Sequence, residues 1–341
     1  MPASDALAQR AMLAEELTSG PYERFLADMV PSMQNPDVGA PMVPRHWTWE
    51  HVRDDMLLAL RASETYYITP DMMSLAVAGM ETLPEDAVVR KESPMSSHGF
   101  MWMPAALRIV DVRGYVLAVN AVLWAEGPDG VLVWMFADKY DPLNDAFQRA
   151  KGYEVSKHGH LIPRLTPWGA LYIKYGQPLP KSLKLKGQRP VPPDVPVQVV
   201  EKDGSVAWLI GDGGMSPEDM QPVRAPADEA LFLTVVWRLM RQTIVDVREE
   251  EVDKRSRRLA QRHLNAERHV TVIALRHKES RRDGDRTWSL DHRFLVRGHW
   301  RHQWYGSGEH RWQDWVWIAP FIKGPEGAPL IVTDKVNALV R

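Results

Sequence analysis

The stretch YVLAVNAVLW at residues 115–124, the turn GPDG at 127–130 and the run VLVWMF at 131–136 decide how this chain is read. Tyr115 to Trp124 and Val131 to Phe136 are apolar, β-branched or aromatic, the composition of strands inside a core. Gly127-Pro128-Asp129-Gly130 between them supplies the dihedrals of a tight reversal. The expectation is a β-hairpin, within a strand-rich region that opens near Phe100 and closes with a strand near Ala170 to Tyr175. A short helix is expected over Asp145 to Ala150.

Upstream of the hairpin the spacing is helical. Ala6 to Leu17 is rich in Ala, Leu and Glu and stops at Ser19-Gly20. Tyr22, Phe25, Leu26, Met29, Val30 and Met33 share a helical stripe that ends near Asn35-Pro36. Thr48 is placed to cap a helix with Val52, Met56, Leu57 and Leu60 inward. Thr69-Pro70-Asp71 sets an N-cap, a proline at the first helical position and an acid for the dipole.

Downstream, Gln177 to Pro196 holds six prolines and reads as an extended connector. A long helix is expected from Ala227, with Leu231, Val235, Leu239, Thr243 and Val247 at i+4 steps. Lys254 to Leu264 continues as helix, with Arg255, Arg258 and Arg262 on one face. Strands are expected at His269 to Leu275, Asp291 to Val296, Val316 to Ile318, Ile331 and Val336 to Val340. The fold class is therefore α+β. It has a helical N-terminal region with a β-hairpin-containing sheet, then a long helix and a small antiparallel sheet or barrel. A chain of 341 residues suggests more than one unit. The divisions expected are an N-terminal α+β domain over 1–176, a Pro-rich connector over 177–226 and a basic C-terminal domain over 227–341.

With 45% apolar and 25% charged residues, the composition is that of a globular protein. Cysteine is absent, which excludes disulfides, thiolate zinc sites, iron–sulfur clusters and Cys nucleophiles. The first residues lack the apolar core of a signal peptide, and no run approaches the roughly 20 apolar residues of a membrane span. A cytoplasmic, non-membrane protein is expected. The net charge of −2 conceals a polarity: Lys254 to Arg311 holds 15 Lys and Arg against 6 acids, while the remainder carries an excess of eleven acids. Seven of the 12 histidines also fall in the basic window. Such asymmetry bears on partners: an anionic one for the tail, or mutual neutralisation of the two halves.

The tail also contains the densest chemistry. Arg297, His299, Trp300, Arg301, His302, Trp304, Tyr305, Arg311 and Lys323 interleave cations with flat rings, alongside Trp315 and Trp317. Arginine forks onto phosphates, and indole or phenol rings stack on bases. These residues, with Arg255, Arg258 and Arg262 of the basic helix, form the candidate contact set for DNA or RNA. Two other readings stay open. The tryptophans could fill a small sheet core beneath stacked Arg and His, as in a protein-interaction module. Alternatively His299, Arg301 and His302 could supply acid, base and charge to a metal-independent nuclease.

Weaker patterns are a His158-Gly159-His160 pair, an acidic Asp138/Asp141 with Glu154…Lys157 spacing, and the glycine-rich Gly211 to Gly214. None has the companions of a metal or phosphate site, so no metal and no cofactor is expected. No serine-hydrolase elbow, kinase set or dinucleotide fingerprint is present. Catalytic residues remain unassigned. The acidic N-terminal domain is the expected contact for a protein partner.

His292 to Tyr305 (HRFLVRGHWRHQWY) and Trp317 to Glu326 (WIAPFIKGPE) resemble the C-terminal module of an uncharacterised family of actinobacterial genomes, phages and other mobile elements. Val270 to Arg276 and the basic helix fit that module's lead-in. The landmarks Thr65 to Pro70, Ser93-Pro94 and Gly99-Phe100 are similar more loosely. The resemblance implies a phage or mobile-element setting, and it carries no catalytic residue.

Overall fold

The computed structural model describes residues 2–34, 46–84, 86–110, 116–145, 162–179, 198–200, 206–208, 227–264, 269–276, 293–305, 311–323 and 330–331. The chain opens with α1 (Pro2–Glu16), α2 (Gly20–Gln34) and α3 (Trp49–Ala62), followed by strand β1 (Glu64–Ile68). Helix α4 (Pro70–Glu81) begins as its sequence dictates: Thr69 Oγ1 accepts from the Met72 N–H at 3.4 Å, and proline occupies the first turn. Strands β2 (His98–Val110), β3 (Val116–Glu126), β4 (Gly130–Asp138) and β5 (Leu165–Lys174) form a meander. The β3–β4 hairpin is the one expected, with Glu126 opposite Val131 and the Gly127 N–H on the Gly130 carbonyl at 2.8 Å.

A small pair, β6 (Gln198–Val200) and β7 (Val206–Trp208), precedes α5 (Ala227–Met240). Strand β8 (Val245–Glu251), helix α6 (Lys254–His263) and strand β9 (His269–Leu275) follow. The tail supplies β10 (Arg293–Val296), β11 (His299–Tyr305), β12 (Trp312–Ile318), β13 (Phe321–Lys323) and β14 (Leu330–Ile331).

Seven strands join in the order β5-β4-β3-β2-β1-β9-β8. The centre is parallel, β1 running with both β2 and β9, and the two flanks are antiparallel. Strands from 64–174 and from 245–275 thus share one sheet, across the connector that the sequence places between two units. Strand β1 is short and buried on both faces. Tyr66 packs into one layer and Tyr67 into the other, as the two-residue period requires.

Two cores sandwich the sheet. On one face lie α4 and α5, with Tyr66, Trp124 and Trp237 in an aromatic chain of 5.3 and 5.8 Å between ring centroids. Gly99 is required here, because a Cβ would stand 2.0 Å from the Trp124 ring. On the other face lie α1, α2, α3 and α6. Buried Arg10 ties that layer together, bonding the Leu60 carbonyl and, at 2.8 Å, the Thr65 hydroxyl.

Three expectations are corrected. The long helix ends at Met240, and Val247 lies in strand β8 instead. There Val245 and Val247 alternate with charged residues along an edge strand, and pairing with β9 outweighs the i+4 pattern. Residues 299–305 form a strand that alternation alone did not single out, and β1 was not expected as a strand. The small antiparallel sheet of the tail is present as β11–β12 and β10–β13. The helix expected over 145–150 and the strand over 336–340 lie outside the described residues, Asp145 apart.

Candidate nucleic-acid interface

Strands β11 and β12 form a two-stranded ribbon with Trp300 opposite Trp317, His302 opposite Trp315 and Trp304 opposite Gln313. Alternation puts these six on one side and His299, Arg301, Gln303 and Asp314 on the other. The ribbon is rooted at one end. Trp300 and Trp317 are buried, their rings 5.3 Å apart edge to face, and the Trp300 indole N–H donates to the Gly79 carbonyl of α4 at 2.8 Å. The Trp317 N–H donates to Gln242 Oε1 at 3.0 Å, just past α5. A second pin joins Arg238 of α5 to Asp314, with Arg238 also donating to the Val88 carbonyl at 3.0 Å.

Moving away from the root, the same side opens to solvent. The His302 ring lies against half-buried Trp315, 3.5 Å between centroids and tilted by 39°, and Trp304 is 60% exposed, which makes a ledge of this side. Arg297, His299, Arg301 and Arg311 are exposed: His299 and Arg301 leave the opposite side of β11, Arg297 precedes that strand at the root, and Arg311 precedes β12 at the far end. His299 Nδ1 lies 3.0 Å from the Arg297 carbonyl, and Arg301 donates to Gln303 Oε1 at 3.1 Å. Tyr305 and Lys323 sit on β11 and β13, with side chains outside the described set. The tryptophans thus divide: Trp300 and Trp317 are core, as the structural reading requires, and Trp304 is surface.

Arg255, Arg258 and Arg262 are exposed on α6, as expected, but that helix packs against α1 in the opposite layer of the sheet. The two basic groups do not converge on one patch. Nor do the three residues of the nuclease reading. His299 and Arg301 leave one side of β11 and His302 leaves the other, where it is occupied with Trp315. A strand's two-residue period cannot aim all three at one reacting atom.

Sequence reasoning missed a feature beside the ledge. A cavity of about 480 Å³ lies between α5, the 90–93 turn and β12, lined by Arg90, Glu92, Trp237, Arg238, Arg241 and Trp315. Arg90 and Arg241 come from loops 151 residues apart, and no spacing signal links them. Trp237 Nε1 and Arg238 Nε in its walls are buried donors with no acceptor among the described residues.

A second polar cluster sits at the β3–β5 end of the sheet. Asn144 bonds Ala118, Asn120 and Asp138 at 2.9, 3.3 and 2.9 Å, and Arg164 pairs with Asp138 at 3.3 Å. Burial raises the Asp141 carboxyl above its usual range. Burial also raises Glu16, which accepts the Arg164 N–H at 2.9 Å, and depresses Lys139. Asp138 and Asp141 are therefore engaged in holding the β3–β4 end together, which accounts for them structurally. Their expected companions Glu154 and Lys157, the His158/His160 pair and Gly211 to Gly214 lie outside the described residues. Among the described residues no cluster of three His, Asp or Glu has metal-site geometry. No helix is long and apolar enough to cross a membrane.

No protein-family model matches this chain, and no curated protein matches it. Among solved structures it is similar to one described as the crystal structure of AcrVA2, at 11% identity and a TM-score of 0.31, over 93% of this chain and 96% of that one. A TM-score of that size does not define a shared fold.

Proposed function

We propose that this chain is a non-enzymatic nucleic-acid-binding accessory protein that holds a single strand against the β11–β12 ribbon. The carrying observation is Trp304, 60% exposed on the side where the His302 ring lies against Trp315, with exposed Arg311 at the same end of the ribbon and exposed Arg301 on the opposite side of β11. An exposed indole presents a face on which a base stacks without regard to sequence. The arginines meet the phosphates. A phage or mobile-element setting is the one that the tail's resemblance implies, and the acidic excess outside residues 254–311 suits a protein partner.

Fluorescence anisotropy with labelled single- and double-stranded DNA and RNA, at 50 and 200 mM salt, tests this reading. Binding is expected at low salt, preferentially to single strands, weakening as salt rises. Trp304→Ala should weaken it about tenfold, since stacking contributes about 1–3 kcal/mol per base. Absence of binding to all four at 50 mM removes the reading, because phosphate contacts are strongest there. Intact labelled RNA after prolonged incubation, with or without chelator, is the expected sign that no cleavage occurs.

A further inference from the structure

We infer that the cavity between α5 and β12 is a seat for a terminal phosphate monoester, the phosphorylated end of the strand lying on the ledge; this rests on the proposed nucleic-acid reading. Its volume of about 480 Å³ suits one nucleotide. Trp237, fully buried, forms part of its wall.

The lining charges select the ligand. Arg238 is already neutralised: Asp314 pairs with it and also accepts the Trp315 N–H at 2.8 Å. That leaves the guanidinium groups of Arg90 and Arg241 against one carboxylate, Glu92. Both side chains are exposed at the cavity, and their guanidinium groups have no acceptor among the described residues. A phosphodiester carries a single charge, whereas a monoester carries roughly −1.5 to −2 near neutral pH and offers three acceptor oxygens to planar guanidinium forks. A free phosphate end therefore gains most from two arginines. Trp315 connects the two sites: it lines the cavity and is also the ring under His302, so a strand leaving the cavity meets the ledge at once.

The test compares a ten-nucleotide single strand bearing 5′-phosphate, 3′-phosphate or only hydroxyl ends, together with free 5′-AMP, by calorimetry on the full chain. One phosphorylated end should bind at least about tenfold tighter than the hydroxyl-ended strand. The double variant Arg90→Gln/Arg241→Gln, which alters exposed side chains and should leave Tm unchanged, should erase that preference. Equal binding of all strands would overturn the cavity's role while leaving the ledge reading standing. If no strand bound but 5′-AMP did so in an arginine-dependent way, the cavity would stand and the ledge reading would fall. Loss of preference on replacing Trp304, with the Arg90/Arg241 variant unaffected, would also overturn the assignment.

Discussion

Gly79 shows how one residue of α4 fixes the position of the whole ribbon. Its carbonyl receives the Trp300 indole, and its missing Cβ leaves room that Val235 of α5 fills, since a Cβ there would stand 2.8 Å from Val235 Cγ1. Valine is stiff at χ1 and cannot swing aside. Gly79→Ala gains up to about 1 kcal/mol of helix propensity but overpacks the α4–α5 seam by about 1–3 kcal/mol. The expected outcome in urea denaturation is a net loss of about 1 kcal/mol, where an uncrowded helical glycine would give a gain. At the other edge of the sheet, Asp253 caps α6 by accepting the Ser256 and Arg255 N–H groups at 2.9 and 2.8 Å. The Ser256 N–H first, then the Ser4 hydroxyl, hold its carboxyl down to about 2. Because the folded value is depressed, the stabilisation is complete above the unfolded value of about 4 and is lost as pH falls through 2. Asp253→Ala should cost about 1 kcal/mol at pH 7. Asp253→Asn, which keeps an acceptor but cannot titrate, should flatten the acid limb of stability between pH 4 and 2. An acid limb unchanged in Asp253→Asn would show that the cap is not titrating there.

At the scale of elements, the ribbon is held by a charged pin whose removal can be read directly. The Arg238 side chain is 9% exposed and that of Asp314 28% exposed, so Asp314→Ala leaves a nearly buried guanidinium without its carboxylate. The expected loss is about 3 kcal/mol, the low end for a broken buried pair because Asp314 still sees water. Hydrogen exchange should rise across 299–305 and 312–318 while β3 and β4 stay protected; uniform change would show that the pin does not act locally. These same elements show where the sequence is legible. The β3–β4 hairpin and α4 carry their own punctuation, a GPDG turn and a Thr-Pro-Asp start, so local chemistry decides them. The α5–β8 boundary carries none: Thr243 and Val247 prolong the helical stripe, and only the presence of β9 alongside turns Val245–Glu251 into strand. Exposed Trp304 and buried Trp300 are four residues apart with similar neighbours, and what separates them is distance from α4 and α5. The arginines of the cavity are illegible for the same reason, Arg90 and Arg241 meeting only through the packing of α5 against the 90–93 turn.

For the whole molecule, the decisive contact is β1 with β9. Strand β9 lies between β1 and β8, Tyr66 opposite Thr271 and Ile68 opposite Ile273, while α5 fills the core over α4. A chain cut at the connector would leave β1 with one open edge and strip Phe232, Leu233, Val236 and Trp237 from that core. Burying each such side chain contributes about 1.5–3 kcal/mol, so removing four exceeds the margin of a typical domain. Residues 1–176 and 227–341 expressed separately should therefore lack cooperative thermal unfolding. Expressed together they should co-elute and recover a single transition. The charge asymmetry then acquires a structural reading. Basic α6 lies against α1, with the His263 ring 3.9 Å from Glu15, so a basic helix of the tail faces the acidic N-terminal layer. Reassembly of the two fragments should slow as salt rises from 50 to 500 mM, through screening of the long-range attraction, while the apolar β1–β9 and α4–α5 contacts keep the complex intact once formed. A cooperative melt from residues 1–176 alone would show instead that the sheet closes without β9, and that the connector separates two independently folding units.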